Sequence, residues 1–290
     1  MPGSVSGLHR WVDRCRQIDR SAFLPFVVEE TPVGWIPKAH LRRFWEHPRT
    51  FEVSETAVRL NPEWTLPQER TEAVAQVLGE WRERGWVPGW REELYRVSPA
   101  FDQPPLLLME RAAAPLFGVC SYGVHLNGFV RRAEGLWLWL ARRAQDRPQY
   151  PGFLDHLVAG GLTAGQTARE VALRECHEEA GIPESLARRC RPTGFVSLFM
   201  EHQGLVKRDL LFTYDLELPE DFQPHNTDGE VEAFLRVPGE EALRIVAETD
   251  EVKLNCNLVM IDFFLRHGLI HPDQSGYVEL LKGIRHPDCA

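Results

Sequence analysis

The stretch that decides the fold reads GGLTAGQTAREVALRECHEEAGI and spans residues 160–182. Thr167 followed three residues later by a glutamate forms a capping box, and Gly181 supplies a stop. The spacing therefore predicts a helix over 168–180 with both ends specified. Since successive helical residues are rotated by about 100°, the carboxylates of Glu175, Glu178 and Glu179 share one face, and the opposite face is apolar.

Three carboxylates on one helical face repel one another, and the helix dipole disfavours the two in the last turn. A divalent cation removes this conflict, because Mg²⁺ or Mn²⁺ prefers carboxylate oxygens and keeps positions open for water and phosphate. Arg174 lies beside the acidic face, on a stripe with Gln166. We expect Arg174 to orient a ligand glutamate and Gln166 to hydrogen-bond Arg174.

The segment resembles the Nudix box, G-x5-E-x7-R-E-U-x-E-E-x-G-U with U aliphatic, and departs from it at two positions. Cys176 replaces an aliphatic residue, which is mild because cysteine packs as a small hydrophobe. Gln166 replaces the first glutamate; that position is mainly supportive in the family, so we expect activity with altered metal affinity. The resemblance implies a hydrolase in which Glu175, Glu178 and Glu179 bind Mg²⁺ or Mn²⁺, with Glu175, Glu178 and Arg174 in the catalytic machinery.

Elements on both sides of the box predict an α/β (α+β) domain over 115–290. Strands are expected at 119–130, 136–141, 154–159, 196–201, 209–216 and 231–237, and helices at 239–248 and 257–266. The resemblance implies that they form a Nudix α/β/α sandwich around a mixed sheet. Residues 1–114 are expected to form a separate N-terminal α+β domain, with a helix over 67–84 that Gly85 ends.

Composition excludes several classes of protein. The 290 residues are 43% hydrophobic and 26% charged, which indicates a folded chain of about two domains. A net charge of −9 without a basic block argues against a nucleic-acid partner. No apolar stretch approaches the roughly 20 residues that span a membrane. The six cysteines are scattered, which favours reduced thiols, and we expect a cytoplasmic location.

The wider chain resembles one Nudix subgroup, the domain fused to thiamin pyrophosphokinase in some fungi and its stand-alone relatives. The resembling segments are GVHLNGFV (123–130), LWLARRA (138–144), PGFLDHLVAGG (151–161), DGEVEAF (228–234) and NLVMIDFFLRHGLI (257–270). The resemblance implies a small-molecule diphosphate as substrate, namely thiamin diphosphate or its oxidised analogues, hydrolysed to a monophosphate and phosphate.

Other positions are candidates for the remaining roles. A further catalytic glutamate is expected at Glu230 or Glu232, with Glu201 behind them, and a plain surface position is equally compatible with each. Substrate contacts are expected from the residues of one strand face, the glycine pair and two later cations, although core or solvated positions also explain them: His125, Asn127, Phe129, Gly160, Gly161, Lys207 and Arg208.

Three alternatives stay open at this point. The substrate could be a nucleoside diphosphate derivative, or the fold could bind a ligand without turnover. An isomerase of the same fold would need a paired catalytic cysteine and glutamate, which we cannot place. The N-terminal domain either covers the substrate cleft or forms a homodimer surface.

Overall fold

The computed structural model describes residues 6–227 and 229–286. Its helices are α1 (Ser6–Arg14), α2 (Leu41–Trp45), α3 (Pro67–Glu83), α4 (Ala114–Phe117), α5 (Ala168–Ala180), α6 (Glu184–Ala187), α7 (Gly239–Glu248), α8 (Leu254–Arg266) and α9 (Tyr277–Gly283). Its strands are β1 (Phe23–Val28), β2 (Thr31–Pro37), β3 (Phe51–Val53), β4 (Val58–Leu60), β5 (Leu94–Val97), β6 (Leu107–Glu110), β7 (Ser121–Arg132), β8 (Gly135–Arg143), β9 (Leu154–His156), β10 (Val158–Gly161), β11 (Arg191–His202), β12 (Leu205–Glu217) and β13 (Val231–Pro238).

The first third of the chain builds a small α+β unit. Its four-stranded sheet has the order β2-β1-β4-β3, and β5 pairs with β6 in a separate antiparallel hairpin. Helix α3 buries Val74, Val77, Leu78 and Trp81 against this unit, as its helical spacing predicts. Phe117 belongs to the same core and packs against Trp81 with ring centroids 5.9 Å apart.

The rest of the chain is organised around a seven-stranded mixed sheet. The order is β11-β12-β7-β8-β13, with β10 added to β7 and β9 added to β8. Strands β7 and β12 are parallel, and the other pairs are antiparallel. Helix α5 packs on one face against Val124 and Leu126, whereas α7 and α8 cover the other face beside Phe129 and Leu211. The mixed sheet between two helical layers confirms the predicted fold class.

Helix α1 packs against the C-terminal half of the chain rather than against the N-terminal unit. Leu8 and Trp11 join the core formed by α7 and α8, and the Trp11 indole donates to the Val246 carbonyl at 2.7 Å. The backbone just after α1 follows the edge of the large sheet, where Phe199 N donates to Cys15 O at 3.0 Å and Glu201 N donates to Gln17 O at 2.9 Å. Residues 8–17 therefore pack with the helices and the sheet edge of the C-terminal half.

The predicted elements are present, with differences in their bounds. The predicted strand over 154–159 is divided at Leu157, so that β9 pairs with β8 and β10 pairs with β7. Helix α8 begins at Leu254 rather than at residue 257, and it is buried on nearly every side, as its apolar composition predicts.

Candidate functional site

Helix α5 has the ends and the buried face that its sequence predicts, and Glu175 and Glu179 lie against strand β10. The Thr167 hydroxyl accepts from Glu170 N at 3.2 Å, and the Glu170 carboxylate accepts from Thr167 N at 2.8 Å, which completes the predicted capping box. Gly181 ends the helix with a φ of 60°, a conformation that favours glycine. Cys176 and Ala180 are fully buried. Both helix ends and the buried face thus agree with the sequence pattern.

Arg174 contacts two of the three glutamates on α5. Its guanidinium lies 2.7 Å from a Glu175 oxygen and 3.0 Å from a Glu178 oxygen. Gln166 does not reach Arg174 as expected, because it precedes the helix and its side-chain oxygen accepts from the Thr163 hydroxyl at 2.6 Å. The structure therefore places Gln166 in the loop that leads into α5.

The surroundings of Glu179 disfavour the charged form of its carboxylate. One of its oxygens accepts from Ala159 N at 2.7 Å, which fixes the carboxylate beside β10. Burial raises the pKa of Glu179 well above its usual value, and the negative charges of Glu175, Asp155 and Glu230 raise it further. A carboxylate whose charged form is destabilised in this way would be stabilised by a positive charge beside it.

Glu230 is the later glutamate that lies with this group. Glu230 and Glu179 line the same small cavity of about 10 Å³, together with Asp155 and Arg143. The Glu230 carboxylate accepts from the Arg147 guanidinium at 2.7 Å. We call Glu175, Glu178, Glu179 and Glu230 the acidic site.

The other two glutamate candidates lie elsewhere. Glu232 is exposed and accepts from the Gln145 amide at 3.3 Å. Glu201 is also exposed and lines a different cleft, next to Gln17 and Asp19. Only Glu230 of the three candidates therefore lines a cavity with an α5 glutamate.

The glycine pair of β10 allows two groups to approach the backbone closely. A Cβ on Gly160 would lie 2.4 Å from a Glu175 oxygen, and a Cβ on Gly161 would lie 2.5 Å from the Tyr95 hydroxyl. Any larger residue would displace these side chains. The glycine pair thus lies beside Glu175 of the acidic site. Its expected contact with the substrate stays a prediction.

Three predicted substrate residues lie on the sheet face that α8 covers. His125 is buried, and its ring nitrogen contacts the ring of His156. The Asn127 amide donates to Asp215 at 3.2 Å, and the Phe129 ring lies 5.5 Å from that of Phe263. Interior contacts therefore account for all three side chains, and their part in substrate binding stays a prediction.

The two later cations point to opposite sides of β12. Lys207 lies 3.7 Å from Asp209, whose pKa burial raises. Arg208 donates to the carbonyl of Val33 in the N-terminal unit at 3.4 Å. The structure therefore does not bring Lys207 and Arg208 together, and their role towards phosphate stays a prediction.

A buried polar cluster that the sequence did not predict is formed by His125, Asp155, His156 and Cys256. The side-chain atoms with which these residues could bind a metal ion all lie within 4.8 Å of one another. One Asp155 oxygen accepts from the Cys256 thiol at 2.8 Å, and the other lies 3.1 Å from the Lys253 ammonium. A charged residue inside an apolar run, as in FLDHLV at 153–158, is a signal of such a cluster. Its partners on α8 are about a hundred residues distant and give no local signal.

Charge in the buried polar cluster is balanced within the protein. Burial alone would raise the pKa of Asp155, but Lys253 and the two imidazoles outweigh it and hold that pKa well below its ordinary value. Burial lowers the pKa of His156 to about 4, so this ring is neutral at pH 7. The aspartate therefore already has its counter-ion.

The acidic site has the chemistry of a divalent-cation site. Its donors are carboxylate oxygens, the ligands that Mg²⁺ and Mn²⁺ prefer. The nearby arginines do not cancel its charge, since Arg174 serves two glutamates at once. The raised pKa of Glu179 shows that a positive charge would be stabilised there. These residues thus fit a divalent cation.

Comparisons with known proteins show which families the two parts of the chain match. Residues 122–256 match the family model of the NUDIX domain, and residues 7–121 match that of a domain of unknown function, DUF4743. The chain is 42% identical over 297 residues to Nudix hydrolase 20, chloroplastic, of Arabidopsis thaliana, which covers 99% of this chain and 79% of the relative. It is 43% identical over 290 residues to Nudix hydrolase 24, chloroplastic, of the same organism, covering 99% and 80%.

Among solved structures, that of DR0079 from Deinococcus radiodurans is similar to the chain at 24% identity and a TM-score of 0.37. The match covers 48% of this chain and 80% of that one.

The meeting point of the two family models lies between residues 121 and 122, seven residues after the end of the predicted N-terminal domain at 114.

The comparisons correct the expected cytoplasmic location. Both Arabidopsis relatives are named as chloroplastic proteins, which contradicts that expectation. Composition and scattered cysteines cannot distinguish one reducing compartment from another, and this is why the expectation was wrong. Within residues 6–227 and 229–286, no helix is both long enough and apolar enough to cross a membrane.

The family is established by the two Arabidopsis relatives, which this chain matches along most of their length. The helix with an arginine and three clustered glutamates, next to a glycine pair, fits that family. Nudix hydrolases generally use divalent metals to cleave diphosphate linkages. The chain belongs to the Nudix hydrolase family and is a hydrolase of diphosphate compounds.

Proposed function

We propose that the chain hydrolyses thiamin diphosphate or its oxidised analogues to a monophosphate and phosphate, using Mg²⁺ or Mn²⁺. The observation that carries the diphosphate chemistry is the acidic site, where burial, together with the nearby charges of Glu175 and Glu230, raises the pKa of Glu179. The choice of a thiamin compound is supported by the segments at 123–130 and 151–161, which resemble the thiamin-related subgroup. In the fold these segments are neighbours, since β10 pairs with β7.

The carboxylates of Glu175, Glu178 and Glu179 would hold the cation, which when bound neutralises phosphate oxygens and lowers the pKa of a coordinated water. Arg174 keeps Glu175 and Glu178 side by side through its two ion pairs. The Ala159 N–H orients Glu179. The protein thus fixes the three carboxylates before substrate arrives, which lowers the reorganisation needed in the reaction.

Glu230 is the residue that we assign as general base. Its carboxylate shares a cavity with Glu179, and Arg147 holds one of its oxygens at 2.7 Å. The cavity volume of about 10 Å³ corresponds to roughly one water molecule. The base would take the proton of the attacking water, and the proton leaves with the released phosphate.

Replacement of Glu230 by Gln tests this assignment. The rate constant kcat is expected to fall by about 10²–10⁴, the range for loss of a general base. The matched control is Glu232→Gln, two residues away and exposed, which should keep the wild-type rate. Equal rates for the two variants would contradict the role of Glu230. They would not bear on the metal-binding role proposed for the α5 glutamates.

A substrate panel tests the function itself. Phosphate release would be measured with thiamin diphosphate, oxidised thiamin diphosphate, a nucleotide sugar and an oxidised nucleoside triphosphate, with Mg²⁺ and with Mn²⁺. We expect the highest kcat/KM on a thiamin compound. A higher value on a nucleotide compound would contradict the proposed substrate. An absence of turnover on every compound would contradict hydrolysis and indicate a ligand-binding protein.

A further inference from the structure

The hairpin of β5 and β6 in the N-terminal unit lies directly against the entrance to α5. The Leu94 carbonyl accepts from Ala164 N at 2.7 Å, in the loop that joins β10 to α5. The Tyr95 hydroxyl lies 2.5 Å from the position of a Cβ on Gly161, so this side chain could not approach so closely if residue 161 were larger than glycine. The N-terminal unit therefore forms one wall of the region next to the acidic site.

Arg111, which follows this hairpin directly, also lies beside Gly161 of the glycine pair. Its guanidinium carbon is 3.3 Å from the position of a Cβ on Gly161. Burial alone would lower the pKa of Arg111, but Tyr95, Glu93 and Glu175 raise it above the ordinary value. A residue of the N-terminal unit is thus electrostatically coupled to a glutamate of α5.

The surrounding residues hold Arg111 in place at one edge. Its Nη1 donates to Glu93 at 2.8 Å, and its backbone N donates to the Glu93 carbonyl at 2.8 Å. The buried Glu110 carboxylate accepts from Ala112 N at 3.1 Å, which fixes the chain on both sides of Arg111. Within the described part of the chain, Nε and Nη2 make no hydrogen bond, and the side chain is 41% exposed.

The other arginines around the acidic site pair with its own glutamates or with Asp155, whereas Arg111 pairs with Glu93 outside it. Arg174 contacts Glu175 and Glu178. Arg147 contacts Glu230. Arg143 lies 3.5 Å from Asp155. A diphosphate carries more negative charge than one divalent cation cancels, and a guanidinium edge with two donors fits phosphate oxygens. Arg111 has such an edge next to the glycine pair.

We propose that Arg111 binds the diphosphate group of the substrate, so that the N-terminal unit completes the substrate site of the Nudix domain. The inference rests on the proposed diphosphate hydrolysis and adds the phosphate-binding residue. In this arrangement Glu93 positions the guanidinium. The N-terminal unit then has a direct part in substrate affinity.

The test compares Arg111→Gln with Arg91→Gln in the full chain. Arg91 is exposed on the same unit and gives the same change of charge. Arg111→Gln is expected to raise KM at least tenfold and to weaken the binding of imidodiphosphate with Mg²⁺, measured by calorimetry, by a similar factor. Arg91→Gln should change neither quantity. Mn²⁺ affinity, measured by electron paramagnetic resonance, should stay within a few-fold of wild type in both variants.

The outcomes separate this inference from the proposed function. Unchanged KM and unchanged imidodiphosphate affinity in Arg111→Gln would overturn the inference while wild-type turnover upholds the function. An inactive wild type that binds no Mn²⁺ would overturn the function. If Arg111→Gln does not fold, Arg111→Lys keeps the charge without the planar edge. Imidodiphosphate affinity between a few-fold and tenfold below wild type in that variant supports the inference, and wild-type affinity contradicts it.

Discussion

Glu179 and Asp155 are neighbouring carboxylates with opposite electrostatic surroundings. Both line the same small cavity. Asp155 has the Lys253 ammonium at 3.1 Å, and its pKa is lowered, whereas burial and the neighbouring carboxylates raise the pKa of Glu179. The protein supplies a counter-ion to Asp155, and in the proposed function an added cation would supply one to Glu179. The buried polar cluster is thus suited to stability and the acidic site to catalysis.

The largest expected effect comes from removing the counter-ion of Asp155. Lys253→Met leaves that carboxylate buried without the ammonium that lies 3.1 Å from it, and breaking a buried pair costs about 3–5 kcal/mol of unfolding free energy. Urea denaturation measures the loss. The double variant Asp155→Asn with Lys253→Met should lose less than the two single losses combined. Additive losses would show that the two charges do not stabilise each other.

Glu179→Gln should have the opposite profile. Because the carboxylate is costly to ionise in the metal-free protein, its neutral replacement should leave stability unchanged or higher. The hydrolysis rate should nevertheless fall by about 100-fold or more, as for loss of a charge-stabilising group. Glu184→Gln, an exposed residue of α6 paired with Arg188, is the control. Near-normal rates in both Glu178→Gln and Glu179→Gln would remove the metal assignment.

The pH dependence of stability should separate the two acids. The raised pKa of Glu179 means that its contribution is fully present below the ordinary value of 4.5 and is lost as pH rises through the folded pKa. The lowered pKa of Asp155 gives a contribution that is present above 3.8 and lost as pH falls further. In chelator-treated protein, the unfolding free energy of wild type relative to Glu179→Gln should fall from pH 4.5 towards neutrality. A pH-independent difference would contradict this assignment.

The local features could be predicted from the sequence because their determinants are local. Helix α5 begins after Thr167 and ends before Gly181, as the capping box and the stop predict. The sequence leaves Glu230 and Glu232 as the best candidates, with Glu201 behind them, and it is the fold that brings Glu230 into one cavity with Glu179.

The missed features depend on residues far apart in the chain. Lys253 and Asp155 are 98 residues apart, and Arg111 reaches Gly161 from another structural unit. Neither contact leaves a periodic pattern in the sequence. The division of the expected strand at Leu157 also depends on partners, since β9 and β10 join different neighbours.

The packing of α1 has a consequence for how this protein can be dissected. A fragment that begins after residue 114 would expose the hydrophobic surface of α7 and α8 on which Trp11 packs. It would also expose the backbone N–H groups of β11 that donate to Cys15 and Gln17 in the whole chain. An unprotected strand edge recruits other strands, so such a fragment would tend to aggregate. Fragments meant to isolate the catalytic half should therefore retain the first helix by linking it directly to that half.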